Sequence, residues 1–265
     1  MGNISEDPKR HSRRLRFKRP PLVEAIWELR FEPQTMPATD VLLGLLFGWQ
    51  DKKTPTVVEL PAAQIPSQIA ANMPDLAYSP RKRLEWQPDF FAQIGDRILS
   101  LHILADNYTN WEAFFGNIVN LSDILKPRNI LRRIHRTSLR YFNVVALENE
   151  KSSLRFLNAS INLASKELVN DKISLRWETE DASIMRIIQI ATHTQANVGQ
   201  HKGMDGVLID IDCIFLFPDL LPGDDAGTWE KTTRVLHKLH YDVEEALIGL
   251  LHEDTRRKLG MHWEA

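Results

Sequence analysis

The sequence predicts an α+β fold, in which a mainly antiparallel sheet is packed by a few helices that include a long carboxyl-terminal helix. First, residues 22–31 alternate apolar and polar side chains, as a half-buried strand does. Second, further strand patterns follow one another with few helices between them, which is typical of antiparallel sheets. Third, the last long apolar stripe has helical spacing, so this helix is expected to pack across the sheet.

Length and composition are those of an ordinary globular protein. The chain has 265 residues, of which 43% are hydrophobic, so one large domain or two small ones can form without disulfide bonds or structural metal ions. The single cysteine, Cys213, lies in an apolar strand pattern and is predicted to be a buried, inert thiol. One cysteine excludes an internal disulfide framework, and no stretch reaches the roughly 20 apolar residues of a membrane span. We therefore expect a cytoplasmic protein without membrane contact.

The chain divides at two adjacent prolines. Residues 1–19 are rich in Lys and Arg without periodicity, which predicts a flexible basic arm. Pro20 and Pro21 then fix an extended entry into the first strand. Residues 20–265 are predicted to form one α+β domain, with an alternative in which two subdomains divide near residues 146–152.

In the first half, local signals predict two helices and a hairpin. Thr39 or Asp40 is expected to cap a helix that runs to residue 49, and Asn110 to cap a helix over residues 111–125. Gly95 and Asp96 predict a tight hairpin between strands at 91–94 and 97–103. Six prolines between residues 55 and 88 predict loops and short edge strands.

The second half is predicted to be rich in strands and to end in a helix. Strands are expected at residues 133–145, 154–163, 172–178, 184–192 and 206–217. Thr228 is expected to cap the final helix. The apolar stripe of this helix comprises Trp229, Thr232, Leu236, Leu239, Val243, Leu247 and Leu250. His237 and His240 lie beside the stripe and are expected to cap or to pack at the surface, because a zinc site needs two more ligands.

Three blocks of the chain together resemble a sporadically distributed family of bacterial proteins of about this length, known as a conserved domain of unknown function. The blocks are residues 20–31 (PPLVEAIWELRF), residues 139–143 (LRYFN), and the strand 208–212 (LIDID) combined with Leu239 and His240. The chain departs from the family pattern at Ala246 and His252. The resemblance implies a mobile-element or host-defence accessory protein, and it implies no particular activity.

The arm is the strongest candidate for binding. Its cations include Arg13, Arg14, Arg16, Lys18 and Arg19. Such a cluster can neutralise the phosphates of a nucleic acid or the carboxylates of an acidic partner. The alternative, a solvated tail without a partner, is favoured because basic termini are common. Phe17 is the single aromatic residue among these charges that could stack on a base.

A second basic cluster follows the predicted helix at 111–125. Even spacing places Arg132, Arg136 and Arg140 on one face of a strand, where their guanidinium groups can bind phosphate or carboxylate oxygens. The favoured alternative is that these arginines pair with acidic residues of neighbouring strands. Glu24 and Glu28 are the partners that we expect.

Asp210 and Asp212 point to the same side of one strand, and with His193 or His201 they form a candidate set of metal ligands. Metal-assisted hydrolysis needs a further carboxylate and usually a lysine, and the sequence shows no such set at a recognisable spacing. A solvated polar face or cross-strand salt bridges are therefore favoured, with no metal and no cofactor. Phosphate-binding loop, dinucleotide and nucleophile-elbow motifs do not occur in the sequence.

These observations favour a non-enzymatic binding module of a bacterial mobile-element or defence-associated system. We expect it to contact a protein partner or a nucleic-acid backbone. The alternative is a metal-dependent nuclease or phosphodiesterase that uses Asp210, Asp212 and His193. Either function is compatible with a homodimer formed through a sheet edge or the terminal helix.

Overall fold

The chain is organised around one nine-stranded antiparallel sheet. The computed structural model describes residues 14–50, 53–73, 76–128, 130–147, 150–181, 183–198, 201–217 and 225–264. The strands are β1 (Arg14–Arg16), β2 (Leu22–Pro33), β3 (Thr56–Glu59), β4 (Lys82–Gln87), β5 (Phe90–Ile94), β6 (Ile98–Leu104), β7 (Leu131–Val145), β8 (Asn162–Leu163), β9 (Lys166–Glu167), β10 (Ser174–Asp181), β11 (Ile184–Val198), β12 (His201–Leu216) and β13 (His262–Glu264). The helices are α1 (Ala38–Phe47), α2 (Ser67–Ala71), α3 (Trp111–Leu125), α4 (Asp225–Leu250) and α5 (Glu253–Lys258). The large sheet has the order β10-β11-β12-β7-β2-β6-β5-β4-β3, and β1 pairs with β13 in a separate ladder. The predicted α+β class with a long carboxyl-terminal helix is confirmed.

The first predicted strand lies near the centre of the sheet. In β2, Ala25, Trp27, Leu29 and Phe31 are fully buried, as the alternation of the sequence requires. The indole Nε1 of Trp27 donates to Thr137 Oγ1 of β7 at 2.9 Å, so its polar atom is satisfied inside the core. The polar positions of β2 therefore lie on the other face of the sheet.

Helices α3 and α4 cover the apolar face. Asn110 caps α3 by accepting from the Ala113 amide at 2.8 Å, as predicted. The predicted stripe of α4 is buried from Trp229 to Leu247, and the helix packs on β7 and β12. However, α4 begins at Asp225, so Thr228 lies inside its first turn and the predicted cap is wrong.

Two further local predictions are wrong because tertiary contacts override them. Helix α1 begins at Ala38 after Pro37, and Thr39 is buried inside it, where its hydroxyl donates to Asp96 Oδ1 at 2.8 Å. Residues 154–163 form no long strand. Instead, Asn158 N donates to Leu250 O at 2.6 Å, so this segment is held by the end of α4 rather than by the sheet.

Both halves of the chain contribute to one hydrophobic core. Residues before and after 146–152, such as Leu139 and Ile209, belong to the same buried cluster. Strand β7 of the first half pairs with β12 of the second half and with β2 of the first. Cys213 is also buried here, and burial raises the pKa of its thiol to about 12, as expected for an inert cysteine.

The end of the predicted arm is attached to the fold. Residues Arg14–Arg16 pair with His262–Glu264, and the Arg19 amide donates to Leu259 O at 3.1 Å. Gly260 makes this approach possible, since it has a φ of +66° and a Cβ at this position would lie 2.8 Å from the Lys18 side chain. The arm predicted over residues 1–19 is thus ordered from Arg14 onward, whereas Arg13 lies outside the described residues. Among the described helices, none is long and apolar enough to cross a membrane.

Candidate functional site

The face of the large sheet opposite α3 and α4, which we call the open face, carries the polar positions of the central strands. Ile26 of β2, Arg140 of β7, Asp212 of β12 and Ile187 of β11 are consecutive cross-strand neighbours on it. Around them lies a cleft of about 470 Å³, which Glu28 also lines. This face brings together four of the predicted site residues, Arg136, Arg140, Asp210 and Asp212.

The predicted arginine stripe is only partly formed. Arg136 and Arg140 line the cleft of the open face, but Arg132 does not. The register of β2 and β7 shifts twice, between the pairs Arg30–Arg136 and Phe31–Ile134 and again between Glu32–Arg133 and Pro33–Leu131, so the regular alternation of β7 ends before Arg132, which is itself an extra residue. Arg132 is exposed elsewhere, 3.5 Å from Glu32. The prediction of one shared face is therefore wrong for Arg132.

Arg136 and Arg140 are both neutralised by carboxylates. Arg140 forms a fork with Asp210, with Nε to Oδ1 at 2.8 Å and Nη2 to Oδ2 at 2.6 Å. Arg136 Nη2 donates to Glu28 Oε1 at 2.6 Å, which confirms Glu28 as a partner. Glu24 is instead a partner of His102, whose Nδ1 donates to Glu24 Oε1 at 2.7 Å. The favoured interpretation, pairing across strands, is confirmed for Arg136 and Arg140, so these groups are not free for phosphate.

The candidate metal ligands do not assemble. Asp210 is nearly inaccessible and already accepts from Arg140 and from Gln189 at 2.9 Å. His193 lies four residues beyond Gln189 on β11, and its Nε2 is 3.1 Å from Asn170 O. Among the described residues, no group of three or more His, Cys, Asp or Glu side chains is arranged to hold a metal ion. The alternative metal site is thus not formed.

Asp212 differs from the other carboxylates of the open face. Its Oδ1 is out of solvent and makes no hydrogen bond to a described residue, because Arg140 and Arg136 are bound to other acids. Burial raises the pKa of Asp212 to about 6, and the attraction of Arg136 and Arg140 limits that rise. Asp212 is therefore a destabilised carboxylate at neutral pH.

A buried hydrogen-bonded chain joins α4 to the sheet. The hydroxyl of Tyr141 lies 3.1 Å from that of Tyr108 and 3.0 Å from His240 Nδ1. Trp111 stacks on His240 with ring centroids 4.4 Å apart, and burial lowers the pKa of His240 to about 3. The prediction of surface packing is wrong for His240. The neutral imidazole is part of the core, and nothing in the helical stripe indicates its tyrosine partner on β7.

A further group of cations lies beside the attached arm, on a surface that differs from the open face. We define the basic corner as residues 14–19 at the end of the arm, residues 150–155, α5 and β13. Its basic residues are Arg14, Arg16, Lys18, Arg19, Lys151, Arg155, Arg256, Arg257 and Lys258, and its acidic residues are Glu150, Glu253, Asp254 and Glu264. These elements meet because Lys258 Nζ binds Glu150 at 2.6 Å and Arg16 binds Glu264 at 3.1 Å.

Several cations of the basic corner have no ion pair with a described carboxylate. Lys18, Arg19, Lys151 and Arg155 are exposed and unpaired in this sense, and Arg256 donates only to a carbonyl, Leu251 O, at 2.8 Å. Two open clefts of about 650 and 780 Å³ adjoin here and share Asn158 and His252. Lys151, Arg155, Arg256, Arg257 and Lys258 line these clefts. The arrangement offers cationic and amide groups to an extended anion.

The sequence analysis identified the arm as part of the basic corner, but it did not identify the basic residues of α5 or of residues 150–155. Arg256, Arg257 and Lys258 are consecutive in the last turn of α5, and this run of three basic residues is the signal that could have identified them. Their proximity to Lys151 depends on contacts between segments about 100 residues apart, such as Lys258 with Glu150.

The chain matches no protein-family model, and a search of curated proteins finds no significant match. The resemblance to a bacterial family stays a prediction.

Proposed function

We propose that the protein is a non-enzymatic binding module that contacts the phosphate backbone of a nucleic acid through the basic corner. The observation that carries this proposal is the distribution of pairing. Arg136 and Arg140 of the open face are bound to carboxylates, whereas exposed cations of residues 151–155 and of α5 line two adjoining clefts, and Lys18 and Arg19 of the arm lie against the end of α5. An accessible cation without a carboxylate partner can neutralise a phosphate without first breaking an ion pair.

Single strands are expected to bind more tightly than duplexes of the same length. Trp263 of β13 pairs with Leu15 of the arm and is about half exposed. An exposed indole gives an unpaired base a surface for stacking, which a base inside a duplex cannot use. Replacing Trp263 with Ala should therefore weaken single-strand binding and leave duplex binding nearly unchanged.

The salt dependence of binding measures the number of phosphate contacts. If about five cations of the basic corner each neutralise one phosphate, the affinity for a single strand should fall with salt with a log–log slope of roughly −3 to −4. Fluorescence anisotropy with labelled single-stranded DNA, RNA and duplex DNA between about 50 and 300 mM salt gives this slope. A slope near zero would contradict the proposal.

Two matched charge reversals test the location. The variant K151E/R155E should lower the affinity about tenfold or more and make the slope shallower by about 1.4. The control K126E/R128E makes the same change of charge beyond the other end of β7, about 45 Å away for a strand of 15 residues. Equal losses in both variants would show an effect of net charge alone and would refute a site at the basic corner.

A protein partner is the competing outcome. If an acidic peptide such as polyglutamate binds more tightly than nucleic acid, and K151E/R155E abolishes that binding, the basic corner recognises an acidic protein. The resemblance of the opening sequence block supports a bacterial accessory system as the setting for either partner. A cytoplasmic location is part of the same proposal.

A further inference from the structure

Strand β10 forms one edge of the large sheet, and all of its residues except Thr179 are exposed. In the described chain it pairs with β11 on one side, and no other strand covers its second side. Leu175 and Trp177 are 39% and 53% exposed, although both lie on the same face as the buried Ile188 and Ile190 of β11. Proteins usually protect such an edge with charged side chains, above all Lys, or with Pro or a bulge; the sequence of β10 (SLRWETED) contains no Lys or Pro, and its charges are of both signs.

We propose that β10 of a second copy of the chain pairs antiparallel with β10, so that two sheets join across a twofold axis. This inference is independent of the proposed function. The opposite edge, β3, is a poorer candidate because it has four residues and β10 has eight. An isologous contact along an exposed edge is a common way to close a dimer.

The charges of β10 select one register. A twofold axis perpendicular to the sheet keeps each side chain on its own face, so each residue must face a partner residue of the same parity. Centring the axis on Trp177 puts Arg176 opposite Glu178 of the second copy, twice. Moving the axis one residue back puts Arg176 opposite itself, and moving it one residue forward puts Glu178 opposite itself. Like charges directly opposite are destabilising, so the axis on Trp177 is favoured.

The same register also buries the apolar side chains of the edge. Trp177 then lies beside its own copy, and Leu175 is diagonal to the tryptophan of the second copy. On the other face, each Arg176 keeps its contact with its own Glu178, at 2.6 Å, and gains a second carboxylate. The two arginines and two glutamates alternate around a square, in which every neighbour has the opposite charge.

A charge-swap experiment tests this interface in the full chain. Sedimentation velocity gives the dimer dissociation constant of the wild type and three variants, R176E, E178R and R176E/E178R. Each single swap should raise the dissociation constant about 30-fold, because it replaces two favourable pairs with two repulsive ones. The double swap restores the pairing and should return the constant to within about threefold of the wild type. Both side chains are about half exposed, so folding, checked by circular dichroism, should not change.

Cross-linking tests the register directly. In the W177C variant, two cysteines face each other across the axis at a distance that a disulfide can span, and mild oxidation should yield a covalent dimer. In the E178C variant the two cysteines are diagonal, about 7–8 Å apart at Cα, and should cross-link poorly. The native Cys213 is buried and should not contribute.

Three results would overturn the proposal. The first is a wild-type chain that stays monomeric up to about 100 µM. The second is a dimer that R176E does not weaken, or that the double swap does not restore. The third is equal cross-linking of the W177C and E178C variants. The variant V58R, at the other edge of the sheet, serves as a control and should dimerise like the wild type.

Discussion

Removing either member of the Arg140–Asp210 pair should destabilise the fold by unequal amounts. Asp210 is 4% exposed at its side chain, whereas Arg140 is 35% exposed and can turn its charge toward water. R140M leaves a buried carboxylate with Gln189 as its remaining partner, so we expect a loss of about 3 kcal/mol in the free energy of unfolding. D210N keeps one acceptor for the guanidinium and removes the charge, so we expect a smaller loss of about 1.5 kcal/mol.

The double variant R140M/D210N completes a thermodynamic cycle. The two groups are joined by two charge-assisted hydrogen bonds, so the double variant should lose about 1–3 kcal/mol less than the sum of the single losses. Urea unfolding followed by circular dichroism measures all four proteins. Losses that add within about 0.5 kcal/mol would refute the pairing. R140M should also leave nucleic-acid affinity unchanged, because a neutralised arginine on the open face is not part of the basic corner.

Further predictions concern pH, the attachment of the arm and a helix cap. The pKa of Asp212 is about 6 in the folded chain and near 3.8 in the unfolded chain, so its ionisation lowers stability as pH rises through this window. D212N should therefore stabilise the protein by about 1–3 kcal/mol at pH 8 and by little at pH 3.5, as measured by urea unfolding at both values; equal effects would contradict this. G260A should loosen β1, because an L residue is strained at φ +66° and its Cβ meets Lys18. Trypsin should then cleave after Arg16 several-fold faster, while the melting temperature of the protein stays unchanged. N110A removes the cap of α3 and should cost about 1 kcal/mol, whereas N110S, which keeps an acceptor, should cost less than half of that.

The sequence predicted those elements whose signals are local. The alternation of β2, the Asn110 cap and the stripe of α4 each involve residues within one or a few turns, and the structure agrees with them. Local signals failed where distant segments compete for the same groups. Thr39 was expected to cap a helix, but its hydroxyl is bound by Asp96, 57 residues away. Residues 154–157 have a strand-like composition, but the end of α4 holds them.

The candidate site shows more clearly that spacing along the chain does not determine which side chains meet. Even spacing put Arg132, Arg136 and Arg140 on one face, but two register shifts in β7 interrupt the alternation between Arg136 and Leu131. Spacing also does not tell a paired arginine from a free one. The acid that binds Arg140 is 70 residues away, and the acid that binds Arg136 is 108 residues away. Only the sheet order β12-β7-β2 brings those carboxylates within reach.

The distribution of paired and unpaired charge distinguishes the open face from the proposed binding surface at the basic corner. On the open face each arginine of β7 is matched by an acid of the neighbouring strand, so the face holds the strands in register and presents little net charge to a partner. At the basic corner the matching is incomplete, since Lys18, Arg19, Lys151 and Arg155 have no described carboxylate partner while Arg16 and Lys258 do. The paired cations fix the arm and α5 to the domain, and the unpaired ones project from that fixed frame. A surface that is ordered before it binds loses less conformational entropy on contact with a phosphate backbone than a free tail does, so attachment of the arm at β13 should strengthen binding.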